Sequence, residues 1–141
     1  MRFMVLLKAD KNTEAGVLPD EKLLAEMGKY NQTLIDAGVM VDGAGLQSSA
    51  KGARVKFSGA TRTVVDGPFP ESKELIAGYW MFQVKSKEEA IEWVKRCPSP
   101  LLGDAEIEIR QVFEADDFGA ELTPELRAQE ERQRARAAKK K

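Results

Sequence analysis

Apolar residues recur in two rhythms along this chain. Arg2–Lys8 ("RFMVLLK") is a compact apolar run, the pattern of a strand buried on both faces. From Pro19 to Ala37, Leu23, Met27, Leu34 and Ile35, with Leu24 and Tyr30 beside them, return every three or four residues. That spacing predicts an amphipathic helix, with Pro19 near its first turn and Gly38 just past its end. Gly28 lies inside it at a cost of ~1 kcal/mol against alanine, which suggests a close packing contact. Val39–Leu46 ("VMVDGAGL") begins as a strand and loosens at Gly43 and Gly45. Arg54–Phe57 and Thr61–Val65, joined through Ser58-Gly59-Ala60, read as a hairpin. Ile76–Val84 ("IAGYWMFQV") is a strong aromatic and β-branched strand. Ser86 then opens a capping box with Glu89, and Ala90, Ile91 and Val94 give the next helix its apolar face. That helix stops at Cys97-Pro98. Glu106–Phe113 alternates Ile107 and Ile109 with Glu108 and Arg110, as a half-exposed strand should.

The order is β-α-β, an inserted hairpin, then β-α-β, the ferredoxin-like split βαβ arrangement of an α+β protein. Such a sheet carries its helices on one face and needs a cover on the other. A second subunit supplies one by closing two sheets into a dimeric α+β barrel, so a homodimer is expected.

At 141 residues, 43% hydrophobic and 32% charged, the chain has the size and composition of one globular domain. Its opening apolar run of five is too short to cross a bilayer and no small-residue cleavage site follows, so the expected location is cytoplasmic, with no membrane partner. Cys97 is the single cysteine, so no intrachain disulfide can form, and beside Pro98 at a helix end it reads as a packing residue. The sequence contains no histidine. Ser-His-Asp and Cys-His nucleophile pairs, and histidine-held zinc or iron, are thereby excluded. Carboxylates could hold a hard cation, but no D-x-D-x-D-G loop is present, and neither a metal nor a cofactor is expected.

The end of the chain differs in character. Between Glu121 and Lys141 seven Lys or Arg face four Glu, a balance of +3 that leaves −4 on residues 1–120 of the total −1. Thr123-Pro124 looks like a helix start. Residues 1–115 are read as the domain and 116–141 as a charged tail, helical and then disordered at its basic end. The tail lacks aromatics and the body is acidic, so nucleic acid is not an expected partner.

Chemistry concentrates in "DGPFPESKE", residues 66–74. Asp favours turn initiation, Gly allows positive φ, and Pro fixes φ while removing a donor. A stiff bend is expected, anchored by the ring of Phe69 and projecting the Asp66 carboxylate from a strand end. Asp66 is therefore the candidate acid–base group. Arg62, Phe69, Glu71, Lys73 and Trp80 are the candidate ligand contacts. Lys73 and Arg62 (Arg54 equally) would meet an anionic group, and Tyr79 and Trp80 alternate so that one of them faces the open side of the sheet. "GAGLQSSAKG" lacks the third glycine of a dinucleotide fingerprint and the Gly-Lys-Ser/Thr of a phosphate loop, and reads as a connection.

These residues resemble the YCII-related (DGPF-domain) family, whose loop commonly reads D-G-P-F-x-E-[ST]-K-E. "MRFMVLLKAD", "AGVMVDGAGLQ", "GYWMFQV", "EEAIEWVKRCP" and "IEIRQVFE" agree in order, covering residues 1–115. The resemblance implies a dimeric α+β barrel with a ferredoxin-like protomer. Related barrels include muconolactone isomerase-like enzymes, and YCII proteins proper are thought to use a His–Asp pair. Without a histidine that pair cannot be carried over, and Asp66 alone matches. Two readings follow. One is a small-molecule-binding homodimer, with isomerase- or lyase-like acid–base chemistry at the DGPF loop. The other is a non-catalytic module working with a transcription factor, as the family's association with extracytoplasmic-function sigma factors implies.

Overall fold

The computed structural model describes residues 1–101 and 103–139. Residues 1–111 form one compact unit and residues 112–141 a second. The first unit runs β1 (Arg2–Lys8), α1 (Lys11–Glu14), α2 (Glu21–Asp36), β2 (Met40–Gly45), β3 (Ala53–Ser58), β4 (Thr61–Asp66), β5 (Ile76–Gln83), α3 (Lys87–Lys95) and β6 (Ile107–Gln111). Short 3-10 turns occupy Ser49–Lys51 and Ser72–Glu74.

The main sheet has the order β2-β5-β1-β6, and every neighbouring pair is antiparallel. This is the ferredoxin-like arrangement of a mixed α+β protein, with β3 and β4 set apart as a two-stranded ribbon. Alternation along β1 buries Phe3, Val5 and Leu7 on one face. The register places Val5 between Trp80 and Ile109, and Phe3 beside Phe82. Tyr30 and Leu34 of α2 and Ala90 of α3 join them in the core. The α2 periodicity thus turns its Tyr30/Leu34 stripe onto the sheet, and Asp20 caps it by accepting the Leu23 N–H at 2.8 Å. Ser86 caps α3 in the same way at 3.1 Å. The reciprocal Glu89 carboxylate accepts from Lys85 rather than from the cap residue, so only half of the expected box forms.

Two polar atoms in this core are satisfied locally. The Tyr30 hydroxyl donates to the Trp93 carbonyl at 2.8 Å, and the Trp80 indole donates to Asn31 Oδ1 at 2.9 Å. The two rings meet edge to face, 6.0 Å apart. Gly28 does not serve the close contact expected of it, because no atom beyond its chain neighbours and its own helix backbone lies within 4 Å of where its Cβ would stand. The opposite sheet face presents Met4, Leu6, Tyr79 and Met81, each half-buried.

In the second unit, Phe113 and Phe118 stack at 5.0 Å, and a 3-10 segment covers Ala115–Glu121. Helix α4 (Pro124–Lys139) follows, with Thr123 Oγ1 accepting the Leu126 N–H at 3.3 Å. Arg127 pairs with Asp116 at 2.8 Å and Arg134 with Glu130 at 2.7 Å. α4 buries no side chain, as its charge density requires. Lys140 and Lys141, the expected disordered end, lie outside the described residues.

Candidate functional site

Asp66 is the last residue of β4, opposite Ala53, and its side chain is exposed. The Gly67–Pro68 peptide that follows is cis. Gly67 has no positive φ, so the reason for glycine is space and not backbone freedom. Its N–H donates to the Gly52 carbonyl at 2.9 Å, and a Cβ there would stand 1.7 Å from the Ser49 carbonyl oxygen. The motif is therefore pressed against the segment leading into β3.

Ser49 is the centre of that contact. Its hydroxyl accepts the Phe69 N–H at 3.0 Å and donates to Glu14 Oε1, while its own N–H donates to Glu14 Oε2 at 2.9 Å. Both oxygens of one carboxylate are thus engaged by one serine, which in turn holds the motif's backbone. The Phe69 ring is half-buried and the Arg54 guanidinium lies over it, 3.8 Å from its centroid. Arg54 also pairs with Glu71 at 3.7 Å. Phe69 and Glu71 are brought together, with Arg54 between them.

The other candidates stand elsewhere. Arg62 sits beside the hairpin tip, donating to the carbonyls of Gly59 and Thr61 at 2.8 and 3.0 Å, over the Phe57 ring. Four positions along β4 separate it from Asp66, about 13 Å of strand. Lys73 is exposed in its 3-10 turn and makes no ion pair among the described residues. The expectation for Trp80 is corrected: it is only 7% exposed and lies on the helix-covered face, while Tyr79 takes the open side. Phase along β5 decides this, since Trp80 pairs with the buried Val5 and Tyr79 with Leu6.

A cavity of about 660 Å³ opens where β1 ends and β5 begins. Leu7, Leu23 and Ala77 form its covered side. Val17, Leu18 and Leu46 stand at its exposed side, Leu18 being 84% exposed. Polar groups come from Asp10, Asn12, Gln47 and Lys51. This is the size and mixed lining of a small-molecule site. Asp66 does not line it; the carboxylate that does is Asp10. Asp10 caps α1, accepting the Thr13 N–H at 2.8 Å while its own N–H donates to Thr13 Oγ1 at 2.9 Å. The sequence reading missed Asp10, although D-x-x-T at the end of a strand is a capping signal.

The motif and the cavity share a wall. Ser48 and Lys51, on either side of Ser49, line the cavity, and so do Asn12 and Thr13 just before Glu14. The Phe69–Ser49–Glu14 chain of hydrogen bonds therefore ties the motif to the back of that wall. Burial perturbs two titratable groups, both packed with the core and neither in the cavity. The Cys97 thiol is pushed up to about 11, and the Tyr30 phenol is raised above its usual value.

The sequence profile of the YCII-related domain matches residues 1–116. An uncharacterized protein of Rhizobium meliloti strain 1021 is 26% identical over 76 residues, which are 54% of this chain and 61% of that protein. The chain thus matches less than two thirds of its curated relative's length. A 5-chloro-2-hydroxyhydroquinone dehydrochlorinase from Burkholderia phenoliruptrix AC1100, solved with 2,5-dihydroxybenzoquinone, has a TM-score of 0.44 at 13% identity, covering 82% of this chain and 98% of that one. With the profile spanning all of the sheet, both packed helices and the DGPF loop, this chain belongs to the YCII-related domain family.

Proposed function

We propose that this chain binds a small molecule in the 660 Å³ cavity, and that the DGPF motif serves the site by bracing its wall. The observation that carries this reading is the serine bridge: one residue, Ser49, holds both the motif at Phe69 and the cavity segment at Glu14. Acid–base chemistry falls to Asp10, the carboxylate in the lining, rather than to Asp66. One Asp10 oxygen already accepts the Thr13 N–H, which fixes the group and leaves the other oxygen to face a substrate. Proton abstraction next to a carbonyl, the step underlying isomerase- and lyase-like reactions, asks for no more than one such carboxylate. A second copy covering Met4, Leu6, Tyr79 and Met81 would complete a dimeric barrel in the cytoplasm.

A thermal-shift panel of small carboxylates, lactones and amino-acid derivatives tests the site, with Leu46→Arg as the control. Leu46 is half exposed, so the arginine obstructs the cavity without disturbing the core. A ligand that raises the midpoint of the intact chain but not of Leu46→Arg is the expected result. Equal shifts in both overturn the site.

A second reading is favoured by α4, whose basic end is solvent-exposed and buries nothing. In it the helix is the docking arm of a regulatory module for a transcription factor. Removal of residues 123–141 would then abolish capture of that factor and leave small-molecule binding intact. Capture by the shortened chain overturns it.

A further inference from the structure

The chemistry of the lining limits what the cavity can hold. Three of the exposed large apolar side chains, Val17, Leu18 and Leu46, converge on this one opening. Exposed apolar surface gathered around a recess is costly in water unless something covers it. The polar groups beside it include one charge of each sign, Lys51 and Asp10. Lys51 is the only cation in the lining and makes no ion pair among the described residues. The side-chain amides of Asn12 and Gln47 donate to no group of the chain among those residues. Against these donors stands one carboxylate, Asp10, with an oxygen already taken by Thr13. Lys51 and these two amides are therefore donors in the lining that have no partner among the described residues, and Lys51 is the group there that can receive an anion.

We propose that the ligand is an amphipathic anion: an apolar ring or short chain against Leu7, Leu23 and Ala77, with a carboxylate-class head held by Lys51 and the neighbouring amides. This rests on the cavity being the binding site and adds the ligand's class. Lys51 is the last residue of the serine-braced turn, so its backbone is held while its side chain stays exposed. A Lys–carboxylate contact at the edge of an apolar recess is partly shielded from water, which strengthens it relative to a fully exposed pair.

Calorimetric titration of the full chain with 4-phenylbutyrate, 4-phenylbutanol and 4-phenylbutylamine separates the head from the body. The acid should bind at least tenfold tighter than the alcohol, and the amine weakest. Lys51→Gln should erase the acid's advantage while leaving the alcohol's affinity unchanged. Equal binding of acid and alcohol to the intact chain overturns the anionic class but leaves the cavity as a small-molecule site. Binding of none of the three, with the chain folded, overturns both. If Leu18→Asp then also converts a dimer to a monomer by sedimentation, the apolar opening is a contact between copies.

Discussion

The Ser49 hydroxyl stands between the Phe69 backbone and the Glu14 carboxylate, accepting from the first at 3.0 Å and donating to the second. Ser49→Ala removes both bonds and leaves the half-buried Phe69 N–H without its partner. A loss of about 1–2 kcal/mol in denaturant unfolding is expected. Hydrogen exchange at the Phe69 amide should quicken beyond what that global loss explains. Unchanged protection there would mean that the motif holds its shape without the serine.

Gly67→Ala should be the more damaging change. Its Cβ would meet the Ser49 carbonyl, a backbone atom, at 1.7 Å, so the loop or the wall must move. Overpacking of this kind costs about 2–3 kcal/mol. Asp66→Asn, by contrast, alters an exposed side chain at the strand end and should leave the unfolding midpoint nearly unchanged.

Asp10→Asn separates capping from acid–base work. Asparagine caps helices about as well as aspartate, so the fold and ligand affinity should be kept. Any turnover assigned to this cavity should fall at least a hundredfold, the scale of a lost general base. Retained turnover would remove Asp10 from the chemistry.

Trp80→Phe should behave as a core change and not as a site change. The indole N–H bond to Asn31 is lost and Asn31 Oδ1 is left without that donor, costing about 1–2 kcal/mol. Affinity for a cavity ligand should not move. Gly28→Ala should run the other way, stabilising α2 by about 0.5–1 kcal/mol because open space surrounds the new methyl.

Alkaline pH offers a test at Cys97. Burial raises its pKa from 9.0 to about 11, so the native state keeps a proton that the unfolded chain releases earlier. That contribution to stability is intact below about pH 9 and declines as the pH rises to about 11. Cys97→Ala should flatten this part of the curve, leaving the contribution of Tyr30. At pH 8 the native thiol should react with a disulfide reagent about a hundredfold more slowly than in the unfolded chain.

Much of the fold was legible because it is periodic. Tyr30 and Leu34 recur at helical spacing and reach the core, and the alternation through Ile107 and Ile109 marked β6. Gly59, with φ of 57°, closes the hairpin where Ser58-Gly59-Ala60 predicts it. Helix α1 escaped because four residues carry no period, and Ser49–Lys51 because a single 3-10 turn has no pattern. The site was harder still. Its lining comes from the end of β1, α1 and the α1–α2 connection, the first turn of α2, the end of β2 and the segment after it, the start of β5 and the Pro100–Leu101 loop, so no single stretch announces it. "DGPFPESKE" drew attention for its composition, but its closest partner is a serine in a stretch that reads as a mere connection.

That partnership bears on how distant relatives can be recognised. Because Gly67 rests on the Ser49 backbone and Phe69 on its hydroxyl, twenty residues away, the tetrapeptide is half of a two-part signature. A relative that keeps D-G-P-F should also keep a small hydroxyl-bearing residue ahead of the hairpin and an acid after its first strand. Where hairpin length varies, the two halves drift apart in an alignment while remaining in contact. A search weighted on their joint occurrence would then find members that the contiguous motif alone overlooks.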